Sequence, residues 1–501
     1  MTVKSDTTTA QHVVDALAAD ELSTLLAHVA DPEQRLALYQ EYHPKTVNLA
    51  TAENVLLYDS LKEKVFKQLG VLPENGIRYT RAYGTDQLRQ ETARMLSRAF
   101  HVDVDWRDVF GTAGVSGALE CLAFALKEGG ALKSGDGVLL PAPFWQGFKW
   151  CFQQRPGLVC VPAPVSPEGD PPFTLTLKNL QDAYAAQPVP PKLLVLTNPH
   201  NPLGVNYDKA LLESIYSWAL ERDPQMHIIS DEMYAHSQIA GATPSFTSAL
   251  ALDAYKKPGN SDRIHVVWGF AKDFGLSGFR AGVVISRSPV VHEAMGGTSS
   301  RETLSWFSPF DSLKHFVIGK LLESRGHDSE PYTATLMKEY GKTLTANFAG
   351  VRAALQEAGL PYVYREKANP AQFFLLDLRN YLPYFNQPPV DLLDCLRERF
   401  PEPRRFHDCL PESERRRLPI VFRDIPPAEE LLRWYIAERT GVQLLPGTTL
   451  SCPEPGYFRL CFTAYARETV TKAVKLIGEA LGQLLSHAPK IGWQPTADAT
   501  V

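Results

Sequence analysis

The chain is predicted to adopt an α/β fold with a mostly parallel β-sheet, followed by a smaller α+β domain. Four short apolar runs alternate with segments of helix length: GVLLPAPFW (137–145), KLLVLTNPH (192–200), MHIISDEMY (226–234) and RIHVVWGFAK (263–272). Short, continuously apolar strands separated by helices are typical of a parallel sheet buried on both faces. With 501 residues, the chain is also long enough for two hydrophobic cores.

The chain divides into three predicted parts. Long helical patterns around QFFLLDLRNYL (372–382) and YFRLCFTAY (457–465) predict the smaller domain. A span rich in proline, arginine and acidic residues predicts a surface insertion near 396–428. The parts are an N-terminal arm with part of the small domain (1–74), a large domain (75–330) and a small C-terminal domain (331–501).

Composition and charge exclude several classes of protein. The formal net charge of −5 gives no basic patch for nucleic acid or an anionic membrane. No apolar run reaches the roughly 18 residues of a membrane helix, and the N-terminus lacks the pattern of a signal peptide. The seven cysteines are scattered without a CxxC pair, which is typical of reduced thiols. We therefore expect a cytoplasmic protein without a metal site, a nucleic-acid partner or a membrane partner.

Polar or aromatic side chains follow each of the four apolar runs. In open α/β sheets, ligands bind outside the carboxyl ends of the strands, so these side chains are expected to meet at one site. In chain order they are Phe144 and Trp145, Asn198 and Asn201, Asp231 and Tyr234, and Lys272. A lysine at the end of a buried strand is costly as an ammonium, so it either reaches water or loses its charge through chemistry.

Two nucleotide-binding motifs can be set aside. GKT at 341–343 would need a glycine five positions earlier to form a phosphate loop, but Leu336 occupies that position in a helical segment. GLSGFRAG (275–282) has its glycines at the wrong spacing for a dinucleotide fingerprint.

The motifs together resemble the class I/II aminotransferase superfamily of pyridoxal-phosphate enzymes, within it the 1-aminocyclopropane-1-carboxylate synthase-like branch. The matching stretches occur in the family's order and span most of the chain. They are NLATAENVL (48–56), LTNPHNPLG (196–204), SDEMY (230–234), GFAKDFGLSGFRAG (269–282), FFLLDLR (373–379) and EPGYFRLCF (454–462).

This resemblance implies the fold type I architecture, in which a large domain has a mostly parallel seven-stranded sheet. It implies pyridoxal 5′-phosphate as cofactor, with Lys272 as the Schiff-base lysine that also moves the substrate's α-proton. Asp231 would pair with the pyridinium nitrogen. Asn201 and Tyr234 would donate to the ring's 3-oxygen, and Trp145 would stack on the ring.

The resemblance also assigns the groups around the phosphate and the substrate carboxylate. The backbone N–H groups of Val115 and Ser116 would cradle the phosphate, and Arg280 would clamp it. Arg459 would bind the α-carboxylate of the substrate. The chain departs from the family pattern at Gly269, where a serine that binds the phosphate is usual. A second common serine is also missing, because Ala271 replaces it.

The resemblance implies a homodimer with shared active sites and catalysis at the Cα of an amino acid. Tyr79, five residues before Gly84, occupies the place of the aminotransferase tyrosine that reaches the phosphate from the neighbouring subunit. The cyclopropane-forming enzymes have theirs two before the glycine, where this chain has Ala82. Tyr83 is adjacent, but a shift of one residue would direct its side chain elsewhere unless the loop is shorter. Glu53 matches that branch's substrate-side glutamate.

An aminotransferase is therefore expected. The alternatives are a lyase or replacement enzyme of the same branch and, more remotely, a non-catalytic sensor module.

Overall fold

The computed structural model describes residues 46–296, 303–326, 329–386 and 428–487. The first 45 residues of the predicted N-terminal arm and residues 396–427 of the predicted insertion lie outside these described residues.

The described residues form three β-sheets. Their strands are β1 (Val47–Asn48), β2 (Val109–Thr112), β3 (Gly137–Ala142), β4 (Val159–Pro164), β5 (Leu193–Thr197), β6 (His227–Asp231), β7 (Ile264–Gly269), β8 (Gly282–Ile285), β9 (Tyr362–Val363), β10 (Phe373–Asp377), β11 (Val442–Gln443), β12 (Leu445–Pro446) and β13 (Tyr457–Cys461). The largest sheet has seven strands in the order β2-β8-β7-β6-β5-β3-β4. Only β8 runs antiparallel to its neighbours β7 and β2, so this sheet is mostly parallel, as predicted. The four apolar runs of the sequence form β3, β5, β6 and β7.

Helices cover the sheet, and several begin where the sequence supplies a capping side chain. The hydroxyl of Thr85 accepts from Leu88 N, and the carboxylate of Asp208 accepts from Leu211 N. The helices are α1 (Tyr58–Lys64), α2 (Asp86–Phe100), α3 (Gly114–Glu128), α4 (Gly147–Lys149), α5 (Leu177–Ala185), α6 (Lys209–Arg222), α7 (Asp253–Lys256), α8 (Phe270–Asp273), α9 (Pro289–Gly296), α10 (Thr303–Phe307), α11 (Ser312–Glu323), α12 (Tyr332–Glu357), α13 (Pro383–Asn386), α14 (Ala428–Thr440) and α15 (Arg467–His487).

A second, antiparallel sheet has the order β12-β13-β10-β9. Helices α12 and α15 pack against one another beside it. The N-terminal strand β1 joins this part of the molecule by pairing with β11. The GKT sequence lies inside α12, which confirms that it is not a phosphate loop. No helix among the residues described has the length and apolar character needed to cross a bilayer.

Candidate active site

The carboxyl ends of β5, β6 and β7 lie side by side, as the strand-end argument requires. Thr197, the last residue of β5, is the register partner of Asp231, and Asp231 in turn pairs with Val267. Strand β7 ends at Gly269 and runs directly into α8, which carries Lys272. The site predicted from scattered sequence motifs therefore lies at one edge of the sheet.

The amine of Lys272 is held in a buried environment. Its Nζ donates to the carbonyl oxygen of Ala52. Burial lowers the pKa of Lys272, while the negative charge of Glu53 acts in the opposite direction and raises it. A lysine in this setting releases its proton more easily than a lysine in water, which suits it to bind or deprotonate a ligand.

Asp231 is a fully buried carboxylate with two long contacts to neutral groups. It accepts from Thr197 Oγ1 at 3.4 Å and from Met233 N at 3.3 Å. Burial raises the pKa of Asp231 to about 7 because these donors compensate only part of the lost hydration. A cationic group of a ligand would stabilise the ionised form.

Arg459 presents a buried guanidinium from β13, with a relative exposure of 1%. Its Nη1 donates to Asn201 Oδ1 at 2.9 Å, and its Nη2 donates to the Ala50 carbonyl at 2.5 Å. The guanidinium lies over the ring of Phe373, 4.7 Å from the centroid, and Tyr234 contacts the same ring edge-on at 5.3 Å. A buried guanidinium can bind a carboxylate through paired, charge-assisted hydrogen bonds.

Backbone donors and a guanidinium meet at the start of α3. The helix begins at Gly114, whose φ is +81°, so Val115 and Ser116 lie in the first turn, where backbone N–H groups have no partner within the helix. A Cβ on Gly114 would lie 2.8 Å from Arg280 Nη2, so the guanidinium lies directly over this turn. Arg280 also donates through Nη1 to the Ser277 carbonyl at 3.0 Å. Backbone N–H donors at a helix N-terminus beside a guanidinium suit an anionic group.

The atoms around Gly269, where the family usually has a serine, leave little space for a side chain. A Cβ on Gly269 would lie 3.1 Å from Val115 Cγ2 and 3.0 Å from the Ala281 carbonyl oxygen. The valine methyl therefore closely approaches the place where a side chain at 269 would begin. Val115, Gly269 and Ala271 all lack a hydroxyl, so the side chains at these three positions cannot donate to an anion.

The ligand contacts predicted for Trp145, Tyr79 and Glu53 remain predictions. The ring of Trp145 is half-buried over Gly147 and makes edge contacts with Phe148 and Trp150 at 5.6 and 6.1 Å. Tyr79 is 93% exposed, as a residue that acts on a neighbouring subunit could be. The half-buried Glu53 lies close enough to Lys272 for its charge to affect that amine.

Tyr83, the residue adjacent to the position of the cyclopropane-forming tyrosine, points into the core. Its ring packs 5.9 Å from Phe110, and the guanidinium of Arg89 lies 5.0 Å from its centroid. The side chain is 8% exposed. This agrees with the expectation that a shift of one residue directs the phenol elsewhere.

Most of the contacts that the N-terminal segment 50–54 contributes could not be predicted from the sequence. Backbone carbonyls of this segment accept from Arg459, from Lys272 and, at Glu53, from Thr463 Oγ1 at 2.6 Å. Asn54 Nδ2 donates to the Lys272 carbonyl at 2.8 Å. The motif NLATAENVL was a signal for this segment, but carbonyl contacts leave no pattern in side-chain chemistry.

Gln372 was also missed, although it directly precedes the motif FFLLDLR. Its amide nitrogen lies 3.0 Å from the Lys272 carbonyl oxygen, 3.1 Å from Ser237 Oγ and 2.8 Å from Tyr340 Oη. The side chain is fully buried.

Comparison with known proteins agrees with this geometry. The family model for aminotransferase class I and II matches residues 44–477. A 1-aminocyclopropane-1-carboxylate synthase from Nicotiana tabacum is 26% identical over 451 residues, covering 87% of this chain and 79% of the relative. A probable aminotransferase, aclI, from Aspergillus oryzae is 33% identical over 288 residues, covering 55% of this chain and 66% of the relative.

Solved structures show the same fold. The aspartate aminotransferase of Thermus thermophilus with maleate has a TM-score of 0.62 at 20% identity, covering 93% of this chain and 98% of that one. The aromatic aminotransferase of Pyrococcus horikoshii has a TM-score of 0.62 at 21% identity, covering 92% and 99%.

The site fits the cofactor of this family. The buried carboxylate of Asp231 has only neutral, long hydrogen-bond donors, and a protonated pyridine nitrogen would supply the missing cation. The first turn of α3 with Arg280 suits a phosphate, and Lys272 offers a buried amine to an aldehyde. The chain belongs to the class I and II aminotransferases and is a pyridoxal-phosphate-dependent enzyme of the fold type I architecture.

Proposed function

We propose that this enzyme acts at the Cα of an amino acid and that its reaction is amino transfer. The observation that carries the proposal is the proximity of Lys272, Asp231 and Arg459: the charges of Arg459 and Asp231 both act on the buried phenol of Tyr234, and the charge of Arg459 also acts on the amine of Lys272. Asp231 ends β6, Lys272 lies in α8 directly after β7, and Arg459 is the central residue of β13. Asp231 and Arg459 are buried, and Lys272 is half-buried. They correspond to an amine, an acid and a carboxylate-binding cation.

Each side chain has a distinct task in this proposal. Arg459 binds the α-carboxylate of the substrate through its guanidinium, which orients the Cα–H bond. Lys272 would hold the cofactor through Nζ, and the same amine, once free, would take the proton from Cα. Burial lowers the pKa of Lys272, which favours the neutral, basic form of the amine. Asp231 keeps the ring nitrogen protonated. The bound cofactor supplies an electron sink for the pair left at Cα.

Other residues hold or orient the cofactor. Val115 and Ser116 would donate backbone N–H groups to the phosphate, and Arg280 would add a bidentate cation. Asn201 and Tyr234 would bind at the ring oxygen, and Trp145 would cover the ring face. Asn201 already accepts from Arg459 Nη1 at 2.9 Å, which supports a role at the border between cofactor and substrate.

We further propose a homodimer in which Tyr79 of one subunit completes the phosphate site of the other. Large apolar side chains are exposed on this side of the chain: Ile77 at 77%, Tyr79 at 93%, Phe307 at 85% and Leu313 at 66%. Ile77 and Tyr79 line one groove together with residues 309–312, which lie between Phe307 and Leu313 in the chain. Exposed apolar side chains of this kind favour association. Light scattering during size-exclusion chromatography tests the dimer, and Tyr79→Phe tests the phosphate contact through weaker cofactor binding. A monomer at micromolar concentration would contradict the proposal.

A lyase or replacement reaction is the second candidate, because Glu53 lies near Lys272, where it could act on a substrate side chain. Ring closure to 1-aminocyclopropane-1-carboxylate is disfavoured, since Ala82 lacks a phenol and Tyr83 is turned into the core.

Incubating the purified holoenzyme with a panel of amino acids tests the assignment. A keto acid with aminated cofactor selects transfer, whereas ammonia with a released thiol selects the lyase. Competent formation of the cyclopropane product from S-adenosylmethionine would overturn the proposal.

A cytoplasmic location is proposed with it. In the parts of the chain that the structure describes, the cysteines are unpaired thiols, which supports a reducing compartment. Fractionation of the cell of origin, followed by immunoblotting, tests this location.

A further inference from the structure

The main-chain carbonyl of Lys272 is the centre of an unusual set of contacts. Two side-chain amides donate to it: Asn54 Nδ2 at 2.8 Å and Gln372 Nε2 at 3.0 Å. Asn54 lies in the N-terminal segment after β1, and Gln372 directly precedes β10, whereas Lys272 belongs to α8, which directly follows β7. The carbonyl therefore ties the lysine to two distant parts of the chain.

Gln372 is itself held by a buried hydrogen-bond network. Tyr340 Oη lies 2.9 Å from Ser237 Oγ, and the Ser237 hydroxyl donates to Asp273 Oδ1 at 2.7 Å. Asp273 follows Lys272 in the chain and also accepts from Trp268 Nε1 at 3.0 Å. The network thus begins at the lysine carbonyl and returns to the next residue, closing a loop around α8.

The hydrogen-bond donors and acceptors around Gln372 determine which end of its amide faces the Lys272 carbonyl. Gln372 Nε2 has two protons and three acceptors within reach, whereas Gln372 Oε1 is buried without a partner among the described residues. Because the single hydroxyl proton of Ser237 is donated to Asp273 Oδ1, a reversed amide could accept only from Tyr340 Oη, and the Lys272 carbonyl would lose a donor. In the observed orientation of the amide, Gln372 Oε1 has no partner among the described residues, whereas Nε2 keeps its hydrogen bond to the Lys272 carbonyl.

We propose that Gln372, with Asn54 as its counterpart, is a positioning residue that fixes the Lys272 main chain so that Nζ meets a ligand anchored at the phosphate site. The proposal rests on the proposed role of Lys272 as the cofactor-bearing lysine. The lysine side chain must stay mobile to bind and release a ligand, so the fixed point has to lie in its backbone. Two amide donors on one carbonyl supply that fixed point.

A comparison of two aldehydes separates positioning from stability. Pyridoxal 5′-phosphate is anchored by its phosphate, whereas pyridoxal is not. With either aldehyde, the Lys272 nitrogen bonds to the aldehyde carbon and the oxygen leaves as water. Sodium borohydride then delivers hydride to that carbon, and the nitrogen takes a proton from solvent, which gives a stable secondary amine. Mass spectrometry of the Lys272 peptide measures the trapping rate on the full-length apoprotein.

We expect Gln372→Met, which keeps the volume but removes both donors, to reduce the ratio of the phosphate-form rate to the pyridoxal rate about fivefold. Tyr340→Phe is the matched control, because it removes a hydroxyl from the same network and leaves the Gln372 contact to Lys272. We expect its ratio to equal that of the wild type. If Gln372→Met does not fold, Asn54→Ala should give the same fall in ratio.

The outcomes of this experiment distinguish a failure of the positioning role from a failure of the proposed function. If both rates fall equally in Gln372→Met, or if neither changes, the positioning role is overturned and the contact is structural. If the wild-type protein is trapped at another lysine and not at Lys272, the proposed function fails, and this inference fails with it. Thermal unfolding of each apoprotein identifies variants whose rates fall through loss of structure.

Discussion

Introducing a side chain at Gly269 should reveal a steric coupling with Val115. The backbone there is extended, with φ −163° and ψ 163°, so any residue can adopt it. The conflict is one of space. A Cβ would lie 3.0 Å from the Ala281 carbonyl oxygen, 3.1 Å from Val115 Cγ2 and 3.3 Å from Gly282 Cα. Ordinary carbon contacts are about 3.5–4.0 Å, so the neighbours must move by roughly 0.4 Å.

The expected cost follows from these contacts. Overpacking of this kind destabilises a core by about 1–3 kcal/mol, and Gly269→Ala and Gly269→Ser should both fall in that range. Val115→Ala alone should cost roughly 1.5 kcal/mol, from the loss of two buried methyl groups. The double variant Val115→Ala/Gly269→Ala should cost less than the sum by at least about 1 kcal/mol, because the first change makes room for the second.

Urea unfolding of the apoproteins measures the four free energies of this cycle, and absorbance titration with pyridoxal phosphate measures cofactor affinity. We expect Val115→Ala/Gly269→Ser to bind the cofactor about tenfold more tightly than Val115→Ala/Gly269→Ala, since the hydroxyl adds a donor to a charged phosphate. Strictly additive free energies would refute the steric argument. Equal affinity of the two double variants would show that the hydroxyl does not reach the phosphate.

Three other variants test the site and its surroundings. Lys272→Ala should abolish turnover and the borohydride-reducible bond while the circular dichroism spectrum is unchanged; normal turnover through another lysine would contradict this role. Arg459→Ala should raise KM at least 30-fold, from roughly 2–5 kcal/mol of lost carboxylate binding, with the resting cofactor spectrum unchanged; a KM equal to that of the wild type would exclude it. Burial lowers the pKa of His227 to about 4 and lowers the pKa of His265, whose ring contacts it, well below the usual value. Below about pH 6.5 the unfolded state therefore binds more protons than the folded state. The free energy of unfolding consequently falls as the pH falls. His265→Gln should therefore reduce the slope of unfolding free energy against pH by about 1.4 kcal/mol per pH unit between pH 6 and 5, as urea unfolding at each pH would show; an unchanged slope would contradict the assignment.

Local patterns were enough to predict the fold and the centre of the site. Strands buried on both faces read as continuous apolar runs, and the polar residue that ends such a run is visible in the sequence. Asp231 and Lys272 could be found in this way because the roles proposed for them depend on their place at a strand end. The mostly parallel arrangement of the sheet was predicted from the apolar runs, whereas the number of seven strands was predicted from the family resemblance.

What the sequence by itself determined was thus the set of chemical groups and the edge of the sheet at which they meet. Only the tertiary structure decided which groups hold them in place. Asn54 and Gln372 bind the Lys272 carbonyl from 218 and 100 residues away in the chain. A methyl group of Val115 limits the space at Gly269, and the sequence around neither residue indicates this contact. A backbone carbonyl is the same in every residue, and a steric contact depends on two segments at once, so neither leaves a signal that can be read along one chain.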